Sequence, residues 1–117
     1  MSELIANEDL ILTHDIDSAT LTITSIPSTK VKANNQGVYR GQIVVTVTNG
    51  VSGSCLEGAG IIIIPATATK VKLDNQSVMR EGDEGSGVIV GVQSGQPCDI
   101  NITITIQSAG QSKVKAE

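Results

Sequence analysis

The tripeptide Lys-Val-Lys occurs three times, each time after Thr or Ser: Lys30-Val31-Lys32, Lys70-Val71-Lys72 and Lys113-Val114-Lys115. The first two copies continue in parallel as KVKANNQGVYRG and KVKLDNQSVMREGD, and the third reaches the C-terminus as KVKAE. Valine to valine, the spacing is 40 and then 43 residues. A repeat this long in a 117-residue chain means that one supersecondary unit is used again. The fold is therefore restricted to one small body assembled from similar units. Residues 1–117 form a single domain on this reading, with repeats beginning near 21, 61 and 100.

The units read as β-hairpins. Thr, Ser, Ile, Val, Gly and Asn dominate, a composition of strands and turns with almost no helix signal. Residues 21–24 alternate polar and apolar with period two, and 100–106 do so most cleanly. Residues 43–48 predict a strand that ends at Asn49-Gly50, and the small residues 51–60 predict a loop. Ile61 to Ile64 are apolar on both faces, which predicts burial on both. Residues 88–92 predict a further strand, after a polar turn over 81–87.

Asn34-Asn35 and Asp74-Asn75 stand at matching places behind the first two Lys-Val-Lys copies. Asn tolerates positive φ, which a two-residue hairpin turn demands at both central positions. Such turns set Ala33 against Gln36 and Val31 against Val38 in one copy, and Leu73 against Gln76 and Val71 against Val78 in the other. Each hairpin is then expected to turn a valine pair inward and its lysines outward.

Composition bounds the function. The chain has no Trp, no Phe and one Tyr, Tyr39, so the core is left to Ile, Val, Leu and Ala. A core this thin predicts self-assembly or docking on a partner. Net charge is −4, and all eight basic residues lie in the repeats: the three lysine pairs plus Arg40 and Arg80. An acidic chain without aromatic platforms is a poor binder of nucleic acid. No apolar run approaches a membrane span. The acidic N-terminus does not read as a secretory signal peptide, which predicts synthesis in the cytoplasm. Cys55 and Cys98 fit no close-spaced zinc pattern. They read first as free buried thiols, with a disulfide as the alternative.

Catalytic patterns fail in detail, and the chain reads as a non-enzyme without a cofactor. Gly58-Ala59-Gly60 precedes an apolar strand, not the helix whose N-terminus would hold a phosphate. His14 beside Asp15 has no nucleophile elbow to serve, and reads as solvent-facing.

The second copy, V-K-L-D-N-Q-S-V-M-R-E-G-D from Val71, resembles the motif of the PAAR-repeat proteins, which cap the spikes of type VI secretion systems and phage contractile tails. Val71, Leu73, Asp74, Asn75, Arg80, Gly82 and Asp83 fit that motif, while Ser77-Val78-Met79 replaces its proline and alanines. The first copy keeps Val31, Asn34, Asn35 and Arg40 but has Gln42 where the aspartate would stand. The resemblance implies a compact all-β repeat of hairpins with pseudo-threefold character, cone- or sandwich-like. It implies a structural role at a virion tail or secretion-apparatus tip, with a trimeric spike protein as partner. Relatives with a tip zinc resemble three-histidine, one-cysteine sites, and this chain has a single histidine, so no metal is expected. The alternatives are a self-assembling phage capsid or tail decoration protein and a ligand-binding β-module.

Overall fold

The computed structural model describes residues 3–73 and 75–116. They form strands, bridges and turns, with no helix among them. Six strands make the principal sheet: β2 (Ile11–His14), β3 (Ser18–Ile23), β6 (Gln42–Ser52), β7 (Cys55–Pro65), β10 (Glu84–Gln93) and β11 (Gln96–Ser108). Their order is β2-β11-β10-β7-β6-β3 with antiparallel pairing throughout. The outermost strands, β2 and β3, are consecutive in the chain, so the sheet curls into a nearly closed barrel with a seam between them. The turn over 15–17 straddles that seam. Asp15 Oδ1 accepts the Thr103 amide of β11 at 2.9 Å, and Asp17 Oδ2 accepts the Gly53 amide of the β6–β7 turn at 2.8 Å.

Alternation decides what fills the barrel. Ile43, Val45 and Val47 of β6 point inward, as do Ile62 and Ile64 of β7 and Ile100, Ile102, Ile104 and Ile106 of β11. Aliphatic side chains make most of this core, with Tyr39, Met79 and Cys55 beside them, and the barrel is narrow enough for them because glycines line much of the opposing wall. A Cβ on Gly85 would run into the carbonyl of Ile63, and one on Gly91 would lie 2.5 Å from the Leu56 carbonyl oxygen. A side chain at either point would force β7 and β10 apart.

Three sequence expectations change here. Residues 51–60 are not a loop: β6 continues to Ser52, β7 starts at Cys55, and Gly53-Ser54 make the turn. Asn49, with φ 54°, and Gly50 form a bulge inside the hairpin, where the register shifts. The small residues belong to strand because Gly58 and Gly60 face Ile89, whose bulk occupies the space their side chains would need. Second, the run 61–64 is not buried on both faces. Ile62 and Ile64 are inward, whereas Ile61 is 63% and Ile63 47% exposed, because the barrel has a core on one side of the sheet only. Third, Cys55 and Cys98 are disulfide-bonded rather than free. They lie on β7 and β11, the strands flanking β10, and the bridge crosses Gly91, whose missing side chain makes room for Cys55 Sγ.

Beyond the barrel lie three short two-stranded ladders. β4 (Lys32–Ala33) pairs with β5 (Gln36–Gly37), and β8 (Lys72–Leu73) pairs with β9 (Gln76–Ser77). The third joins the ends of the chain: β1 (Glu3–Leu4) pairs with β12 (Lys115–Ala116). Ile5, Ala33, Val38, Ala68, Val78 and Ala116 pack together among these ladders as a second, smaller core.

Candidate docking surface at the lysine-bearing end

Each ladder belongs to a stretch of chain that leaves one barrel strand and returns as another. Residues 24–41 link β3 to β6, and 66–83 link β7 to β10. The third stretch is split between 109–116, after β11, and 3–10, before β2. Lys32 lies opposite Gly37 and Ala33 opposite Gln36; Lys72 lies opposite Ser77 and Leu73 opposite Gln76. Lys115 lies opposite Leu4 and Ala116 opposite Glu3 in the same register. Behind these pairs, the amides of Val38, Val78 and Ile5 donate to the carbonyls of Val31, Val71 and Val114 at 3.2, 3.3 and 2.9 Å.

The turn chemistry is as the Asn pairs require. Asn34 and Asn35 have φ of 52° and 69°, and Asn75 has 67°; Asp74 lies outside the described residues. The inward valine pair is not found. Val38 and Val78 are buried, but Val31, Val71 and Val114 are 45%, 38% and 41% exposed. The tight turn curls each hairpin over a core already filled by Ala33, Ala68 and Ala116, which leaves the first valine of each pair on the rim. All six lysines are exposed beside these valines.

A ring of backbone hydrogen bonds joins the three stretches beneath this surface. The Ala6 amide donates to the Met79 carbonyl, Met79 to Tyr39, and Tyr39 to Ala6, at 2.8, 2.9 and 3.1 Å. All three residues are buried and contribute to the barrel core, so the ring is the floor between the two cores. Burial and the nearby Glu8 carboxylate push the Tyr39 hydroxyl above its usual pKa.

The motif residues Arg80, Gly82 and Asp83 tie the ladders to that floor. Asp83 is buried; it accepts the Arg80 amide at 2.9 Å and the Thr67 hydroxyl. The Arg80 guanidinium donates to Thr67 Oγ1 at 2.8 Å and to the Ala116 carbonyl at 3.3 Å, reaching the C-terminal strand. Gly82, with φ of 93°, makes the tight turn between them. Arg40 bridges to Val78 through the backbone. Sequence reasoning missed Asn7, which is fully buried and donates from Nδ2 to the Ala33 carbonyl at 2.8 Å. The signal was the aliphatic pair Leu4-Ile5 ahead of it, read only as part of an acidic N-terminus.

His14 is half-buried at the barrel seam rather than solvent-facing, and its Nδ1 is shielded with no protein partner. The disulfide leaves neither Cys55 nor Cys98 a thiolate to offer a metal. A groove of about 690 Å³ follows the seam, floored by Leu10, Leu12, Leu21 and Tyr39. No helix among the described residues is long and apolar enough to cross a membrane.

Basic residues are confined to one half of the molecule. The spans 11–23, 42–65 and 84–108, which build the barrel, contain no Lys or Arg and carry Asp15, Asp17, Glu57, Glu84 and Asp99. The lysines are all at the other end. No protein-family model matches the chain, and no curated protein or solved structure is similar enough to count as a match.

Proposed function

We propose that this protein is a structural, PAAR-like spike tip that docks, through its lysine-bearing end, on a trimeric spike of a contractile injection apparatus. The observation that carries this reading is the third ladder. Its register repeats that of the other two although it is assembled from both ends of the chain. Three such ladders around the Ala6–Tyr39–Met79 ring are what a pseudo-threefold end requires, and a threefold end is what one chain needs to cap three. Six lysines around exposed valines form a basic and apolar rim suited to an acidic spike end. The barrel then projects away from the spike as a narrow body, and its work is mechanical: to pierce or deliver through an envelope. A disulfide suits a protein that functions in an oxidising space outside the cytoplasm in which it is made.

The test is binding to a trimeric β-helical spike protein from the same source, measured by co-elution and calorimetry. Replacing Lys30, Lys70 and Lys113 by Glu is expected to weaken binding about 100-fold, and added salt to weaken the unaltered complex. Undiminished binding by that triple variant would contradict docking through this end. A self-assembling decoration protein is the second reading, favoured by the exposed isoleucines and valines on the barrel wall.

A further inference from the structure

The outer wall of the barrel is bare and apolar over two neighbouring strands. On β7, Leu56, Ala59, Ile61 and Ile63 face outward; on β10, Val88, Val90 and Val92 do. Val90 lies directly opposite Ala59 and Val92 opposite Leu56, so the side chains form one continuous face. The exposed fractions of these branched residues amount to roughly 500 Å² of apolar surface, at the high end of what a monomer leaves uncovered. A run of Ile and Val this exposed is an association hazard unless something covers it.

We infer that this face pairs with the same face of a second copy, making a twofold dimer by sheet-on-sheet packing. Size is the first argument. The patch would form the apolar centre of a standard interface, which buries about 800 Å² per partner. Self-complementarity is the second. A twofold axis near Ile61 and Val88, whose cross-strand neighbours Thr46 and Asn101 are neutral, sets apolar residues on apolar residues and leaves Asp99, opposite Val90, and Glu57, beside Leu56, off the axis. The residues flanking that axis, Val44 and Thr46 on β6 and Asn101 and Thr103 on β11, are neutral as well. Chemistry of the occupant is the third. Outward Leu, Ile and Val on adjacent strands have the composition of an inner sandwich face, which a second twisted sheet covers at about 10 Å. Glu57, Glu84 and Asp99 border the patch and are exposed, an acidic rim in solvent.

The dimer is independent of spike docking, which uses the other end of the molecule, and salt separates the two. Salt screens the acidic rim and is expected to tighten the dimer, whereas it weakens contacts made by lysines. Sedimentation equilibrium of the disulfide-intact chain over a concentration series is expected to give twice the chain mass. Ile61→Lys with Val90→Lys is expected to raise the dimer Kd at least about 100-fold. Thr13→Lys, exposed on the edge strand β2 at the seam, is expected to leave it unchanged. In a separate variant, Val88→Cys near the twofold axis is expected to give a covalent dimer on mild oxidation, and Thr13→Cys is not. That cross-link reads the same face in a protein without introduced charge, so a folding failure of the lysine variant does not blunt the test. A monomeric mass at tens of micromolar, or a cross-link at Thr13→Cys and not at Val88→Cys, would overturn the proposal.

Discussion

Tyr39 concentrates much of what is unusual at the scale of single residues. It is the chain's one aromatic residue, it belongs to the backbone ring, and burial beside Glu8 raises its pKa. A phenol whose pKa is higher folded than unfolded supports the fold fully below the unfolded value near 10. Above that value the unfolded chain loses its proton first, so stability falls as pH rises. Tyrosinate absorbance therefore reports one group, and its midpoint is expected above 10 in the native protein and near 10 in denaturant. Tyr39→Phe is expected to flatten the alkaline limb of stability against pH. Equal midpoints in the two states would remove the effect. Asn7 is the complementary case of a buried amide that connects two stretches of chain. Asn7→Ala leaves the Ala33 carbonyl without its donor, and a loss of about 1–3 kcal/mol is expected in urea denaturation.

At the scale of elements, legibility followed local chemistry. The short hairpins were readable because Asn34-Asn35 and Asn75 supply positive φ, a property of the residues themselves. The strand over 100–106 was readable because one face of it is buried and the other is not. The β6–β7 hairpin was not. Gly58 and Gly60 look like loop residues until Ile89, nearly thirty positions away, is found filling the space before them. The exposure of the Lys-Val-Lys valines is not legible locally for a related reason: the core beneath them is completed by Ala116 and Ile5 from the two chain ends. The role of the N-terminal segment as partner to the last Lys-Val-Lys is a tertiary fact with little local signature. The disulfide had no spacing signal either, because it joins two strands that are both neighbours of β10. Its 43-residue separation constrains the unfolded chain, and reduction is expected to cost about 2–4 kcal/mol. Urea midpoints with and without reductant check this, and coincident midpoints would show that the strands need no staple.

The whole molecule is polarised. Its long dimension is 47 Å against 25 and 21 Å across, with a Lys- and Arg-free barrel on one side of the Ala6–Tyr39–Met79 ring and every lysine on the other. On the proposed reading, one end matches a spike and the barrel is the part that advances. The repeated Lys-Val-Lys marks where that end is, and its valines join the docking rim instead of the core. On that reading one chain caps three spike chains. The most direct measurement is the mass and symmetry of the complex formed with a trimeric spike, by light scattering and electron cryomicroscopy. One chain per trimer is expected, seated with its ladders on the spike and its barrel outward. Three chains per trimer, or a barrel-first complex that leaves the lysines in solvent, would contradict it.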